Sequence, residues 1–332
     1  MLAVSHSRFG PGNEVAELSD VPEPPAPASG EVLIAMEAAP INPSNLLRFE
    51  GRYGNTIVSL PMFAGGEGCG RVLALGSGVR NVKAGDLVLV HPFFANTGTW
   101  RERLVMPAAS LVPLPEADLL QLSMLTVNPP TALAMLTGFV DLQPGDWAIQ
   151  NAANSAVGHC LVKLAAARNI QLINVVRRAD ATAELNAFGA RHILVDGADL
   201  PERAAEMTKG ALPRLAIDAV AGEATQHLAA SVAEGGVVVN YGMLSGEPCK
   251  VAARDTVFRD VALRGFWLER WWRNEAQDTI GETYKALGKL IVSGELAVPV
   301  EASYPLAQVK EALAHAARPH RSGKIILTFP QA

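Results

Sequence analysis

Three groups of residues in this chain of 332 amino acids have types and positions that suit chemistry. Tyr53 lies in a glycine-rich turn at the end of INPSNLLRFEGRYG (41–54). The loop IQNAANSAVGHC (149–160) places small residues between two apolar runs, and Arg177 and Arg178 follow a third apolar run. A phenol, whose ordinary pKa is about 10, can donate a proton at neutral pH. Small residues at a helix start and paired arginines both suit the binding of phosphate.

The loop at 149–160 has the place of a dinucleotide-binding turn, between a predicted strand and a predicted helix. Of the three glycines in the usual fingerprint only Gly158 remains, because Ala152 and Ser155 occupy the other two positions. Asn154 and Ser155 can donate hydrogen bonds to phosphate. The pattern favours nucleotide binding, and a purely structural turn is the alternative interpretation.

The two arginines after QLINVV indicate which dinucleotide is bound. An acidic residue at this strand end would bind the ribose 2′-hydroxyl and favour NAD. Arg177 and Arg178 would instead attract a 2′-phosphate through charge-assisted hydrogen bonds. The sequence therefore predicts NADPH over NADH, and a solvated basic turn is the alternative.

The spacing of apolar residues and turns divides the chain into two regions. Residues 1 to about 115 contain short β-rich runs separated by glycine and proline, which predicts a β-barrel-like domain. From about residue 140 strands alternate with helices, which predicts βαβ units and a parallel sheet. The predicted strands are 32–39, 70–77, 86–92, 146–150, 171–176, 192–196, 214–220, 235–242, 262–267 and 324–329. The predicted helices are 155–169, 181–188, a segment ending near 207, and 278–293.

Composition limits the classes of function. A hydrophobic fraction of 49% with 18% charged residues suits well-buried globular domains and, at this length, two of them. The net charge of −5 and the lack of a basic run argue against nucleic acid as a partner. Three cysteines without CxxC spacing are typical of thiols in a reducing compartment. Residues 119–140 lack charge, but the triplet Asn-Pro-Pro at 128–130 predicts two buried helices joined there rather than a membrane span.

Seven segments, in order along the chain, resemble the trans-2-enoyl thioester reductases of the mitochondrial type. These enzymes form a zinc-free, quinone oxidoreductase-like branch of the medium-chain dehydrogenase/reductase superfamily. The resemblance runs from about residue 30 to Lys324. The segments are INPSNLLRFEGRYG, LPMFAGGEGCGRVLALGSGV, GTWRERLV, TVNPPTALAML, LQPGDWAIQNAANSAVG, INVVRR and LRGFWLERW.

The resemblance implies an α/β fold with two domains. A GroES-like β-barrel catalytic domain would comprise residues 1–137 and 273–332. A Rossmann domain with a doubly wound parallel sheet would bind NADPH over residues 138–272. Analogy with the superfamily also leads us to expect a homodimer. The start MLAVSHSRFG resembles neither a signal peptide nor the transit peptide of a mitochondrial member, so the expected location is cytoplasmic, without a membrane partner.

The resemblance also implies a reaction. Enzymes of this kind transfer a hydride from NADPH to Cβ of a trans-2-enoyl thioester and a proton to Cα, and the thioester carries CoA or acyl carrier protein. Tyr53 occupies the place of the family's catalytic tyrosine. It is therefore the expected proton donor, or the hydrogen-bond donor to the thioester oxygen. A tyrosine packed on the domain surface is the alternative.

The family's cofactor contacts carry over to positions spread along the chain. Asn128 is expected near the nicotinamide end, and Lys324 is the expected C-terminal contact. Arg177 and Arg178 match the 2′-phosphate site. For Phe266 and Trp267 the alternative is a packing role in the core, and for Lys324 it is a solvated strand end. The remaining expected contacts are Asn154, Ser155, Ala156, Val157 and Gly158 in the phosphate loop, and Tyr241, Gly242, Phe266, Trp267 and Leu268 at two strand ends.

The sequence departs from the family pattern at three positions. Asn45 stands where the family often has aspartate, which removes a negative charge before Tyr53. Ala156 replaces a glycine, and its methyl group is tolerable only if φ stays negative and the phosphate is not too close. Met243 replaces the second glycine after Tyr241.

No zinc site is expected. A glycine precedes Glu67 where the zinc alcohol dehydrogenases of the superfamily have histidine, and the ligand cysteine is missing from INPSN. A GxSxG hydrolase motif is also missing from the sequence. Two further functions remain open. One is an NADPH:quinone or small-enone reductase that does not depend on Tyr53, and the other is a nucleotide-binding protein without turnover.

Overall fold

A computed structural model describes residues 1–54, 59–90 and 98–330. The chain divides into two compact units. Unit 1 comprises Met1–Val127 and Gln277–Ala332, and unit 2 comprises Asn128–Ala276. The domain boundaries expected from the sequence, after residues 137 and 272, stay predictions.

Many of the strands coincide with apolar runs of the sequence, because alternating and continuous apolar residues bury well on one or both faces of a sheet. In chain order they are β1 (Leu2–His6), β2 (Glu17–Asp20), β3 (Glu31–Ile41), β4 (Met62–Phe63), β5 (Gly68–Leu75), β6 (Leu87–Val90), β7 (Arg103–Pro107), β8 (Leu111–Pro113), β9 (Trp147–Gln150), β10 (Gln171–Val176), β11 (His192–Val195), β12 (Leu215–Asp218), β13 (Val237–Asn240), β14 (Ala262–Gly265), β15 (Val300–Pro305) and β16 (Lys324–Thr328). Residues 91 and 92 of the predicted strand 86–92 lie outside the described residues.

The helices fall between these strands. In chain order they are α1 (Gly12–Val15), α2 (Pro43–Phe49), α3 (Leu119–Ser123), α4 (Asn128–Thr137), α5 (Ala156–Ala167), α6 (Ala181–Phe188), α7 (Leu200–Met207), α8 (Glu223–Ser231), α9 (Ala253–Phe258), α10 (Leu268–Trp272), α11 (Gln277–Val292) and α12 (Val309–Ala317). Short 3₁₀ turns lie at Ala108–Ser110 and Leu306–Gln308.

Unit 1 is built on two mainly antiparallel sheets. The larger has the strand order β15-β16-β3-β5-β6-β8, with β7 also paired to β3, and the smaller has the order β2-β1-β4. Near the chain end, β16 returns to pair with β3, so that Ile325 lies opposite Ile41. Inward-facing residues of these strands pack with Trp100 and Phe49 in one buried core. This arrangement confirms the predicted β-rich, GroES-like domain.

Unit 2 is a six-stranded parallel sheet with the order β11-β10-β9-β12-β13-β14. The order runs outward from β9 in both directions, which is the topology of a doubly wound Rossmann fold with its switch point between β9 and β12. The parallel register places Gln150 beside Asn174 on one side and beside Ile217 on the other. The predicted α/β parallel sheet is confirmed, and its carboxyl edge is where such folds bind nucleotides.

The uncharged stretch 119–140 forms the two short helices α3 and α4. Asn128 begins α4, so the Asn-Pro-Pro triplet forms the first turn of the second helix rather than the joint between the two. Proline is tolerated there because the first turn leaves its amide hydrogens unpaired. Among the described helices, none is long and apolar enough to span a lipid bilayer.

Candidate active site

The phosphate loop lies at the carboxyl edge of unit 2, between β9 and α5. Ser155 is the N-cap of α5, and its Oγ accepts a hydrogen bond from the backbone N–H of Gly158 at 3.1 Å. This capping bond orders the start of the helix, whose unpaired N–H groups and partial positive charge favour an anion. Ala152 has a φ of 46°, so alanine here adopts the left-handed conformation that the first glycine of the fingerprint usually takes.

Gly158 is the glycine of the loop that the fold requires. A Cβ atom at this position would lie 2.4 Å from the carbonyl oxygen of Ala153, closer than van der Waals contact allows. Ala156, which replaces another glycine, is not among the described residues with positive φ. The condition that φ stays negative, under which a methyl group is tolerable at Ala156, is therefore met.

Arg177 and Arg178 follow β10 at the same edge of the sheet as the phosphate loop, since β9 and β10 are parallel neighbours. Arg177 is exposed to solvent. Arg178 is partly buried, and its Nε lies 3.2 Å from Oδ1 of Asp180. Both guanidinium groups are therefore on the edge where the sequence predicts the 2′-phosphate.

A buried aspartate joins the loops at this edge. Asp218, at the end of β12, is fully buried. Its Oδ1 accepts from Asn151 Nδ2 at 2.6 Å and from the backbone N–H of Val220 at 2.9 Å. Its Oδ2 accepts from Thr225 Oγ1 at 2.7 Å and from Asn240 Nδ2 at 3.0 Å. One carboxylate thus holds together the ends of β9, β12 and β13, which carry the nucleotide-binding loops.

Tyr241 and Gly242 continue β13 into this region. The side chain of Tyr241 is hydrogen-bonded to Ser155, and burial raises the pKa of the phenol. Gly242 lies so close to the preceding strand end that a Cβ atom would be 2.5 Å from the carbonyl oxygen of Ala219. The close approach explains the glycine. Met243, in place of the second glycine, is 48% exposed and meets no such restriction.

Asn128 has an unusual amide at the start of α4. The residue is 5% exposed, and its Nδ2 has no hydrogen-bond partner among the described residues of the protein. Leaving a buried donor unpaired costs about 1–3 kcal/mol. A bound ligand with an acceptor atom would remove this cost, so the unpaired amide fits the expectation of a ligand contact at Asn128.

The segment after β14 is aromatic. Phe266 is 8% exposed and lies with its ring centroid 5.7 Å from that of Trp271 and 6.2 Å from that of Phe139. Leu268 is buried, whereas Trp267 is 38% exposed. The exposed indole belongs to the surface of unit 2, and Phe266 and Leu268 belong to its packed interior.

Unit 1 carries Tyr53, four residues after the end of α2. The turn contains Gly51 and Gly54, each with a φ of 69°, a conformation that glycine adopts without strain. Tyr53 is partly exposed. The guanidinium carbon of Arg48, in the last turn of α2, lies 4.7 Å from the centroid of its ring, which is a cation–π distance. The phenol therefore packs on the helix that precedes it.

A buried polar cluster lies at the other end of α2. Glu67, fully buried, accepts from Asn42 Nδ2 at 2.5 Å through Oε1 and from the backbone N–H of Val127 at 3.0 Å through Oε2. Lys324, 5% exposed, donates from Nζ to Oδ1 of Asn42. Burial raises the pKa of Glu67 to about 7, although the positive charge of Lys324 and the two donated hydrogen bonds lower it.

Asn45 stabilises the first turn of α2 in place of the usual aspartate. Its Oδ1 accepts a hydrogen bond from the backbone N–H of Asn42 at 2.8 Å, so the amide performs the acceptor role of a carboxylate. Asn42 is also bonded to Glu67. An aspartate at 45 would place a second carboxylate on the same asparagine, and the amide avoids that charge repulsion.

Sequence reasoning therefore identified residues in two separate sets. Unit 2 brings the phosphate loop, both arginines, Tyr241 and Gly242 to one edge of the sheet, whereas Tyr53 and Lys324 belong to unit 1. It missed Asn151, Asp218, Thr225 and Asn240, although polar residues at the ends of three apolar strands were a usable signal. It also missed the pairing of Asn42 with Glu67 and Lys324, which joins distant parts of the chain and has no local pattern.

Within the described ranges, no group of three or more His, Cys, Asp or Glu side chains is placed to hold a metal ion. Cys69 is buried, and burial raises the pKa of its thiol. The zinc-free character of the protein stays a prediction.

Two domain families match the two parts of the chain. Residues 28–116 match the alcohol dehydrogenase GroES-like domain, and residues 156–283 match the family described as zinc-binding dehydrogenase. The mitochondrial enoyl-acyl-carrier-protein reductase of Mus musculus is 38% identical over 333 residues, covering 98% of this chain and 88% of the mouse protein. The chain belongs to the enoyl-acyl-carrier-protein reductase family. The predicted membership of the medium-chain dehydrogenase/reductase superfamily is thereby confirmed.

Solved structures from both branches share the fold of this enoyl-acyl-carrier-protein reductase family member. A protein provisionally named NADPH:quinone reductase, from Bacillus thuringiensis, is 30% identical with a TM-score of 0.89, and the match covers 98% of each chain. Etr1p, a mitochondrial 2-enoyl thioester reductase of Candida tropicalis, was solved with NADP and crotonyl-CoA. It is 22% identical with a TM-score of 0.86, over 98% of this chain and 99% of that one. At that identity the likeness to Etr1p shows the fold alone.

The expected cytoplasmic location is wrong on this comparison. The named enoyl-acyl-carrier-protein reductases that match the chain, including those of Mus musculus and Homo sapiens, are mitochondrial proteins.

Proposed function

We propose that this protein is an NADPH-dependent reductase of the 2,3-double bond of trans-2-enoyl thioesters of CoA or acyl carrier protein. The observation that carries the proposal is the 38% identity to an enoyl-acyl-carrier-protein reductase over 98% of the chain. The family's known substrates are thioesters, and its reaction belongs to fatty acid metabolism.

The residues of unit 2 fit the cofactor. Gly158 lets the start of α5 approach the backbone of Ala153, where a Cβ atom would clash, and Asn128 offers a buried amide with no acceptor among the described residues. Arg177 and Arg178 supply positive charge for a 2′-phosphate at the same sheet edge as the phosphate loop. The further contacts are Asn154, Ser155, Ala156, Val157, Tyr241, Gly242, Phe266, Trp267 and Leu268, with Lys324 from unit 1. When bound, NADPH supplies the hydride that is added to Cβ.

Tyr53 is the proton donor in this proposal. Its phenol donates a hydrogen bond to the thioester oxygen as negative charge develops there, or gives its proton directly to Cα. The two glycines around it allow the tight turn, and Arg48 packs on its ring. Solvent then restores the proton, because Tyr53 is partly exposed.

NADPH oxidation with crotonyl-CoA tests the proposal, with wild type compared with Tyr53→Phe. Phenylalanine keeps the ring over Arg48 and removes the hydroxyl alone. We expect turnover by wild type and a loss of about 100-fold or more in kcat for the variant, the contribution of a general acid. A wild-type enzyme that does not oxidise NADPH with the thioester would contradict the proposed activity, and a variant of undiminished kcat would contradict the role of Tyr53.

A second candidate function is reduction of quinones or small enones. It is favoured by the 30% identity to the Bacillus thuringiensis protein named for that activity. The same assay with a quinone in place of crotonyl-CoA separates the two. Turnover of the quinone alone assigns this branch, and turnover of neither substrate favours a nucleotide-binding protein without catalysis.

We also propose that the protein forms a homodimer through the edge of the parallel sheet. In the described part of the chain β14 is the last strand, paired on one side with β13, and all its residues are exposed. Near it Leu263 is 40%, Val257 is 68% and Phe258 is 80% exposed. An exposed strand edge is a template for pairing with another chain, and exposed apolar residues beside it are typical of an interface.

A further inference from the structure

The buried carboxylate of Glu67 has no part in the hydride and proton transfers described above. We infer that Glu67 is a positioning residue for the proton donor, because it anchors the start of the helix that ends at the Tyr53 turn. This inference rests on the proposed function, since it takes Tyr53 to be the proton donor.

Protein groups donate hydrogen bonds to both carboxylate oxygens of Glu67 and to its backbone carbonyl oxygen. Oε1 accepts from Asn42 Nδ2 at 2.5 Å and Oε2 accepts from the backbone N–H of Val127 at 3.0 Å. The backbone carbonyl of Glu67 accepts from Thr99 Oγ1 at 2.8 Å. Lys324 supplies the opposite charge near the carboxylate. A carboxyl group buried in this way is stable only while its hydrogen-bond partners stay in place.

Asn42 connects this cluster to α2. It is the N-cap of the helix, and its backbone makes the bonds to α2: the N–H donates to Asn45 Oδ1 at 2.8 Å, and the carbonyl oxygen accepts from the N–H of Asn45 at 2.9 Å. The side-chain amide donates to Glu67 and accepts from Lys324 on β16. The N-cap of α2 thus links the helix to Glu67, which directly precedes β5, and to Lys324 on β16.

The far end of the same helix is tied to the tyrosine turn. The backbone N–H of Gly51 donates to Arg48 at 3.1 Å, and that of Arg52 donates to Leu47 at 2.8 Å. Arg48 also packs on the Tyr53 ring at 4.7 Å. A short helix of seven residues bonded at both ends moves as one body, so a shift at Asn42 is transmitted to the phenol.

Glutamine at position 67 tests this chain of contacts. Its side chain has the shape of glutamate but a single acceptor oxygen, so it cannot accept from both Asn42 and Val127. One donor then faces an NH₂ group, and the start of α2 must move. We expect Glu67→Gln to lower kcat with crotonyl-CoA by about 10- to 100-fold, the cost of slight misplacement of a reacting group.

A double-mutant cycle with Tyr53→Phe distinguishes positioning from general damage. If Glu67 acts through Tyr53, Glu67→Gln should not lower kcat further in the Tyr53→Phe background. Asp255→Asn is the matched control. Asp255 is a fully buried carboxylate of unit 2, which accepts from Gln226 and Arg259 at 2.8 Å each. Asp255→Asn should change kcat by the same factor in the wild-type and Tyr53→Phe backgrounds.

Asn42→Ala provides a second route if Glu67→Gln does not fold. This variant cuts the link to α2 and leaves Glu67 and Lys324 to pair with each other. We expect the same loss of kcat and the same lack of further effect in the Tyr53→Phe background.

Each outcome has one meaning. If Glu67→Gln lowers kcat by the same factor in the wild-type and Tyr53→Phe backgrounds, the inference is overturned and the proposed function stands. The same holds if Glu67→Gln has the kcat of the wild type. A fully active Tyr53→Phe enzyme would remove both the role of Tyr53 and the inference, whereas turnover itself would stand. A wild type without thioester turnover would refute the proposed function and the inference with it.

Discussion

At the scale of single residues, burial decides the chemistry of Glu67 more than its neighbours do. Lys324 and two hydrogen-bond donors favour the carboxylate, yet the loss of water around a fully buried group raises its pKa to about 7. Asn45 belongs to the same balance, because its neutral amide caps α2 without adding another negative charge nearby.

The raised pKa of Glu67 predicts how stability depends on pH. The folded protein holds this proton up to a pH of about 7, whereas the unfolded chain releases it near the ordinary glutamate pKa of 4.5. Between these values the folded state binds more protons than the unfolded chain, so the contribution of Glu67 to the free energy of unfolding falls as pH rises. Urea unfolding from pH 4.5 to 7 should therefore show the wild type losing stability relative to Glu67→Gln, which has no proton to release at this position. A constant difference between the two proteins would contradict the raised pKa.

Cofactor choice is also a matter of single residues. Replacing both Arg177 and Arg178 with alanine should lower kcat/KM for NADPH by about 10- to 100-fold, because a hydrogen bond to a charged group contributes about 1.5–3 kcal/mol. The value for NADH should change little, since NADH lacks the 2′-phosphate. Arg191→Ala is the control, as this exposed arginine precedes β11 and so lies at the opposite edge of the same sheet. Equal losses with both cofactors would argue against the assignment.

At the scale of elements, the phosphate loop depends on how closely α5 approaches the strand that precedes it. Gly158→Ala would place a methyl group 2.4 Å from the carbonyl oxygen of Ala153, so backbone must shift. We expect a loss of about 1–3 kcal/mol in the free energy of unfolding, the usual cost of overpacking. The KM for NADPH should rise as well, because the shift moves the N–H groups at the helix start. Thermal denaturation and initial-rate kinetics measure the two effects.

Gly281→Ala in α11 is the matched control for that change. A Cβ atom at Gly281 would meet no atom within 4 Å, and the position lies inside a helix. Alanine should therefore raise the free energy of unfolding by about 1 kcal/mol through its better helix propensity. Its KM for NADPH should be that of the wild type. Equal destabilisation by both substitutions would show that the contact at Ala153 is not the cause.

At the scale of the whole molecule, the exposed edge of the parallel sheet predicts the assembly. Light scattering coupled to size-exclusion chromatography should give twice the chain mass of 35.1 kDa for the wild type. The double variant Phe258→Lys with Leu263→Lys should be monomeric, because charges on an edge strand oppose pairing. Val292→Lys, at a 51% exposed apolar position on α11, should stay dimeric. A monomeric wild type would remove the proposal.

Local sequence patterns were enough to predict the elements of unit 2 and the kind of nucleotide that it binds. Apolar periodicity identified the strands of unit 2 and α5, because a buried strand or helix face imposes a local repeat. The small-residue loop and the arginines follow their strands directly, so their neighbourhood could be inferred from parallel topology alone. The reaction and the catalytic role of Tyr53 were predicted from the family resemblance, because local patterns do not indicate them.

Contacts between distant polar residues could be found only from the three-dimensional fold. Asn42 and Lys324 are separated by 282 positions, and their contact exists because β16 returns to pair with β3. The carboxylate of Asp218 likewise accepts from Asn151 and Asn240, which the sheet brings to it from the ends of β9 and β13. Buried polar groups must be satisfied wherever the chain leaves them, and the partner is chosen by the fold rather than by sequence spacing. The physical reason is that hydrogen bonds act over about 3 Å in space, whereas sequence patterns report only neighbours along the chain.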